Sequence, residues 1–181
     1  MASLLLTPSD VMELGCGPGW DAAFFAENGH RVLATDFSDT LIEADKGRFP
    51  GVEGLTFESL DTREAIAGKE DASFGVIYAR LSLHYFDDAD TRLVFEHIAR
   101  VLRPGGLLAF MCKSTDDPLY GKGVELEPDV FESAHRRHFF SEAYARRLLE
   151  HGWQEPQITA RSGDLYGSPS AWIEVLVRRL P

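Results

Sequence analysis

The sequence predicts a doubly wound, three-layer α/β fold, and three observations carry that expectation. Short apolar runs alternate with helical patterns between residues 11 and 112, a glycine-rich turn directly follows the first run, and two strand-like runs close the chain with no helix between them. Continuous apolar strands separated by helices form a parallel sheet buried on both faces. Right-handed crossovers then wind the helices onto those two faces.

In chain order, VMEL (11–14) is a brief buried strand ending in the glycine turn. WDAAFFAENG (20–29) has Ala22, Phe25 and Ala26 at helical spacing and Gly29 as its stop. HRVLATD (30–36) is the second strand, and SDTLIEADKGRF (38–49) opens on Ser38, whose hydroxyl suits an N-cap. LTFESLD (55–61) alternates as a strand does, and FGVIYAR (74–80) is a fourth strand, apolar almost throughout. DADTRLVFEHIARVLRPGG (88–106) reads as an amphipathic helix with Leu93, Ile98, Val101 and Leu102 buried, ended by Pro104-Gly105-Gly106. LLAFMC (107–112) is the fifth strand, and Ser141 caps a later helix closed by Gly152. The runs near QITAR (157–161) and AWIEVLVRR (171–179), joined by SGDLYGSPS, pair as an antiparallel hairpin.

A chain of 181 residues, 44% hydrophobic and 26% charged, is expected to form a single domain, 1–181, around one core. The net charge of −11 argues against a nucleic-acid backbone as partner. Cys16 and Cys112 make neither a disulfide framework nor a zinc pattern, which fits a reducing cytoplasm. The start, MASLLLTPSD, has three leucines and no basic leader, so neither a secretory signal nor a membrane anchor is expected. No stretch reaches the about 18 apolar residues of a spanning helix. The expectation is a cytoplasmic monomer or homodimer working on a small molecule.

Ligands of open α/β sheets sit at the carboxyl ends of the strands, where the first glycine turn lies. Its glycines let backbone approach a ligand, and Asp36, about twenty residues on, is placed to accept hydrogen bonds from ribose hydroxyls. A dinucleotide fingerprint, G-x-G-x-x-G, would put its third glycine where Trp20 stands. The pattern here is Gly15-x-Gly17-x-Gly19 behind Glu13, and a pyrophosphate beside that acid is harder to reconcile than a ligand with positive character. The alternative is a turn that serves only the fold.

At this point the chain resembles the class I S-adenosylmethionine-dependent methyltransferases. MELGCGPG is similar to the family's first motif, VLATDFS to its second-strand motif, ESLDTRE to the stretch facing the adenine amino group, and LRPGGLLAF to its fifth-strand turn. The resemblance implies a Rossmann-like sheet of seven strands, ordered 3-2-1-4-5-7-6 with strand seven antiparallel. It implies S-adenosylmethionine as cofactor and S-adenosylhomocysteine as product. Glu13, Gly15, Cys16, Gly17 and Gly19 would surround the methionine end, Asp36 the ribose, Phe37 the adenine face, and Asp61 with Thr62 the adenine edge. Residues 79–84, from Ala79 onward, would pass beside the sulfonium. The compact size and strand-four motif are most similar to the tellurite-resistance and thiopurine type, which implies a soft or anionic acceptor. Many relatives carry helices before the first strand; ten residues precede Val11 here.

In-line methyl transfer needs alignment, water exclusion and, for some acceptors, a base. In ARLSLHYF (79–86), His84 is a candidate base, Arg80 an anion contact and Tyr85 a pocket wall. The alternative for His84 is packing or capping. The segment 113–140 is long for a connection and is expected to fold over the cofactor as a lid. It carries Lys113, His135, Arg136, Arg137 and His138, a basic cluster suited to an anionic acceptor. The alternative is a solvated turn with Arg136 and Arg137 paired to Glu125 or Asp129. His135-x-x-His138 with Cys112 lacks a third firm ligand at metal spacing, so no metal is expected. Two rival readings remain: a nicotinamide-dependent oxidoreductase of related fold, and a binding protein without catalysis.

Overall fold

The computed structural model describes residues 7–181; most of the start MASLLLTPSD, with the expectation that it is neither a secretory signal nor a membrane anchor, lies outside them. Ten strands and five helices follow: β1 (Asp10–Leu14), α1 (Trp20–Glu27), β2 (Arg31–Asp36), α2 (Asp39–Arg48), β3 (Leu55–Ser59), α3 (Thr62–Ala67), β4 (Phe74–Arg80), α4 (Asp88–Val101), β5 (Leu102–Lys113), β6 (Val124–Glu127), β7 (Val130–Glu132), β8 (Arg136–His138), α5 (Glu142–Leu148), β9 (Gln157–Leu165) and β10 (Ser168–Arg178). A 3-10 turn, Leu83–Tyr85, lies between β4 and α4.

Seven strands form one sheet in the order β3-β2-β1-β4-β5-β10-β9. The first five run parallel, and β10 is antiparallel to both β5 and β9. With β9 and β10 as sixth and seventh strands of the sheet, this is the implied order 3-2-1-4-5-7-6.

Strand alternation builds the three layers. Met12, Leu14, Ile77, Ala79, Leu108 and Phe110 face one side and pack with Ile66 of α3, Val94, Phe95 and Ile98 of α4, and Tyr144 of α5. Val11, Val32, Ala34, Val76, Tyr78 and Ala109 face the other, against Ala22, Phe25 and Ala26 of α1 and Ile42 of α2. Burying each large aliphatic or aromatic side chain of these layers contributes about 1.5–3 kcal/mol. Ser38 caps α2 by accepting from Leu41 N–H at 3.3 Å, and Ser141 caps α5 by accepting from Tyr144 N–H at 3.1 Å, as expected.

Three expectations are corrected. The helix predicted over 88–106 ends at Val101, and β5 already begins at Leu102. Arg179 N–H donates to the Gly106 carbonyl at 2.9 Å, so the Pro-Gly-Gly segment is part of β5, between β4 and β10, rather than a helix end. Leu93 is 44% exposed, whereas Ile98, Val101 and Leu102 are buried as expected; Thr91, Val94 and Phe95 complete the buried stripe of this segment. The hairpin turn is two residues, Tyr166 and Gly167, with most of SGDLYGSPS in the strands themselves. The segment 113–140 contains a three-stranded antiparallel sheet, β6-β7-β8, with β7 in the middle.

Candidate active site

The carboxyl ends of β1, β2, β3, β4 and β5 open onto one cleft of about 1200 Å³. Gly15, Gly17 and Gly19 all have positive φ, at 71°, 51° and 71°, for different reasons. A Cβ on Gly15 would run into Ser82, and one on Gly19 would sit 2.9 Å from the Phe57 ring, so both are demanded by packing within the chain. A Cβ on Gly17 would meet nothing; this glycine faces the open cleft.

The loop's amides are already spent. Gly15 and Cys16 N–H donate to the Thr35 carbonyl at 2.8 and 2.9 Å, Gly19 N–H donates to the Cys16 carbonyl at 3.0 Å, and Gly17 N–H donates to Asp36 Oδ2 at 3.0 Å. Position 18 is proline and has no N–H. A diphosphate would need such donors. The loop is built from inside, as a shaped wall.

Around it the charge is negative. Glu13, at the end of β1, is 2% exposed, and its Oε2 has no hydrogen-bond partner. Burial and the nearby Asp21 push its carboxyl well above the usual range, while Arg80 and the Ala22 N–H pull the other way. Burial with the Glu13, Asp36 and Asp45 carboxylates pushes the Cys16 thiol up as well. Asp36 also accepts from Ser38 N–H at 3.0 Å through Oδ1, and Phe37 beside it is 82% exposed. Such a set suits a ligand carrying cationic groups, and the orphaned Glu13 oxygen is where one would be held.

Asp61 caps α3, and both its oxygens accept from Arg63: Oδ1 from the backbone N–H and Nε at 2.8 and 2.9 Å, Oδ2 from the guanidinium at 3.0 Å. Arg63 also pairs with Asp90 at 2.7 Å and lies over the Phe86 ring. Asp61 and Thr62 line the cleft.

Basic side chains also line the cleft. Arg80 lies 3.9 Å from Asp21 and donates to Tyr166 Oη at 3.5 Å. Arg137 lies over the Tyr85 ring at 6.0 Å, and its buried Nε has no hydrogen-bond partner. His135 meets the same ring edge-on at 6.4 Å. Lys113 donates to buried Asp117 at 2.7 Å and to Ser170 Oγ at 3.0 Å, so its charge is neutralised on site. Arg136 pairs with Asp87 at 3.3 Å, not with Glu125 or Asp129.

His84 is 1% exposed, and burial with the Arg137 and Lys113 charges pushes its pKa down to about 3. Its Nδ1 accepts from Lys113 N–H at 3.5 Å, which leaves the ring proton on Nε2. The buried ring is therefore neutral near physiological pH, with Nδ1 turned towards the Lys113 amide.

Of the residues singled out from sequence, Glu13, Gly15, Cys16, Gly17, Asp36, Phe37, Asp61, Thr62, Arg80, His84, Tyr85, Lys113, His135, Arg136 and Arg137 line this cleft. Gly19, Ala79 and His138 do not. Gly19 immediately precedes α1 as its N-cap residue, Ala79 is buried within β4, and His138 is buried against Phe140 and Tyr144 with ring centroids at 5.1 and 4.5 Å. Sequence reasoning missed Trp20, Asp21, Arg63 and Tyr166 in the lining, while Leu81 falls in the 79–84 stretch expected there. The Tyr-Gly dipeptide between two strand patterns was the available signal for Tyr166. Among the described residues, no group of three His, Cys, Asp or Glu could hold a metal ion, and no helix is long and apolar enough to cross a membrane.

A doubly wound α/β fold with an acid-floored cleft at its glycine loop defines a nucleotide-fold protein. The sequence profile of the methyltransferase domain matches residues 11–106. The chain belongs to this methyltransferase family, and its fold is that of the class I S-adenosylmethionine-dependent methyltransferases. It is 37% identical over 157 residues to methyltransferase GfsG of Streptomyces halstedii, covering 84% of this chain and 51% of that one. It is 36% identical over 103 residues to a probable S-adenosylmethionine-dependent methyltransferase of Mycobacterium tuberculosis, covering 56% of this chain and 35% of that one. A solved S-adenosylmethionine-dependent methyltransferase from Methanosarcina mazei has the same fold, with a TM-score of 0.85 at 18% identity over 99% of this chain and 96% of that one. The chain spans about half the length or less of the curated relatives it matches.

Proposed function

We propose that the chain is an S-adenosylmethionine-dependent methyltransferase that holds its cofactor along the acidic wall of the cleft and a small anionic acceptor along the basic one. Glu13 carries the reading: a buried carboxylate with an unpartnered oxygen, beside a loop with no amide to offer a phosphate, fits a ligand bearing ammonium and sulfonium groups. The same observations disfavour a nicotinamide dinucleotide.

Glu13 and the Gly15–Gly17 wall would hold the methionine end, Asp36 the ribose hydroxyls, Phe37 one adenine face, and Asp61 with Thr62 the adenine edge. When bound, S-adenosylmethionine supplies a methyl group on a positively charged sulfur. Arg80 and Arg137 orient the acceptor anion, and Tyr85 forms its wall. His84 fixes the acceptor side as a neutral Nε2–H donor and removes no proton. The segment 113–140, tied down through Lys113, Asp117 and Ser170, closes the cleft as a lid that excludes water.

Calorimetry with S-adenosylhomocysteine and with NADH tests the assignment. Binding of the first alone is expected, and binding of NADH alone would sink it. Turnover of labelled S-adenosylmethionine against thiol, phenol, carboxylate and metalloid panels separates an enzyme from a binding protein that has lost catalysis.

A further inference from the structure

We propose that Tyr166, at the tip of the β9–β10 hairpin, contacts the methyl acceptor, and that with Tyr85, Arg80 and Arg137 it selects a planar aromatic anion, an aryl carboxylate or phenolate. This rests on the reading of the cleft as a methyltransferase site. A two-residue hairpin turn demands left-handed backbone at both positions, which Asn-Gly or Asp-Gly supply without strain. Here the pair is Tyr166 at φ 55° and Gly167 at φ 79°. Tyrosine is strained in that conformation, and Tyr166 is 83% exposed, so no core packing offsets the strain. Its hydroxyl meets Arg80 at 3.5 Å, and the residue lines the cleft.

Strain of this kind concentrates at functional sites. Four described residues other than glycine have positive φ, namely Ala72, Leu81, Asp129 and Tyr166, and two of them, Leu81 and Tyr166, line this cleft. The chemistry of the wall names the ligand. Two phenol rings offer faces and edges to a flat ring. Two guanidiniums, one with a buried N–H that has no partner, offer donors to an anionic oxygen. An aliphatic anion would leave the rings unmatched, and a neutral aromatic would leave the guanidiniums unmatched.

The transfer balances without a base. A lone pair on the acceptor oxygen forms the O–CH3 bond, the S–CH3 bond breaks with its electron pair going to sulfur, and the anion and the sulfonium both become neutral. No proton moves.

Calorimetry on the full chain, with and without S-adenosylhomocysteine, measures salicylate, 4-hydroxybenzoate and caffeate against cyclohexanecarboxylate and benzyl alcohol. At least one aryl anion is expected to bind tenfold or more tightly than both controls. Tyr166→Asn, which suits the turn, is expected to raise Tm while weakening that anion at least fivefold and leaving S-adenosylhomocysteine affinity unchanged. Tyr166→Phe, which keeps the ring, is expected to lose less. Absence of aryl-anion binding, equal binding of a control, or unchanged affinity in Tyr166→Asn overturns the proposal. A chain that binds aryl anions but not S-adenosylhomocysteine refutes the cofactor assignment instead.

Discussion

Gly17 donates its backbone N–H to Asp36 Oδ2 at 3.0 Å, so the glycine loop after β1 is fastened to the acid that ends β2. The loop follows β1 and the acid ends the neighbouring parallel strand β2, and the bond fixes the wall of the cleft before any ligand arrives. The second carboxylate oxygen is fixed by Ser38 N–H.

Asp36→Ala removes both acceptors and strands two backbone donors. A stability loss of about 1–3 kcal/mol is expected in thermal melts. S-adenosylhomocysteine affinity should fall by more than about tenfold, since a lost charge-assisted hydrogen bond is worth about 1.5–3 kcal/mol. Near-native affinity would refute the ribose assignment.

The three loop glycines should separate by phenotype. Gly15→Ala combines a strained left-handed backbone with a collision against Ser82 and should destabilise by about 3 kcal/mol or more. Gly17→Ala meets no atom and should cost about 1–2 kcal/mol of backbone strain, with its larger effect on cofactor binding. Paired melts and S-adenosylhomocysteine titrations check this, and equal stability losses would count against it.

Glu13 should make both stability and binding depend on pH. Its folded carboxyl ionises well above the usual 4.5, so between those values the folded chain holds a proton that the unfolded chain has released. Its contribution is complete at low pH and fades as pH rises through the folded value. Glu13→Gln cannot lose that proton, so the ligand-free variant should melt higher than wild type at pH 8 and alike at pH 4. A cationic ligand favours the carboxylate, so wild type should release protons on binding, read as buffer-dependent binding enthalpy. Glu13→Gln should bind more weakly and release none.

His84 has the opposite sign. Its folded pKa, about 3, lies below its ordinary 6.5, so the unfolded chain takes up the proton first as pH falls. Stability from the buried neutral ring is full above pH 6.5 and declines towards pH 3. His84→Asn, which keeps an acceptor for Lys113 N–H, should flatten that part of the stability profile. The wild-type rate should show no titration near pH 6.5 attributable to this ring.

Where pattern and ligand chemistry are both local, the sequence was readable. The first four strands, the caps Ser38 and Ser141, and the loop from Glu13 to Gly19 sit where spacing placed them, whereas β5 starts five residues early, at Leu102. Helical phase failed at Leu93 because apolar residues occur on adjacent positions, Leu93, Val94 and Phe95, and only packing against β4 and β5 selects among them. The strands β6, β7 and β8 are three or four residues long, and β6 is exposed along its whole length, so no alternation announces them. The basic cluster was visible as composition, but its sorting was not. Lys113 spends its charge on Asp117 and Arg136 on Asp87, His138 turns into the core, and Arg137 is left facing the cleft.

Cys16 and Cys112 are both buried, and burial raises both thiols above their ordinary range. Near neutral pH neither presents a thiolate to an alkylating dye. The native chain is thus already a blank background for site-specific labelling. A cysteine placed at exposed Leu126, on β6, would be the reactive thiol of choice, and a fluorophore there would report lid closure in real time without first deleting a natural residue.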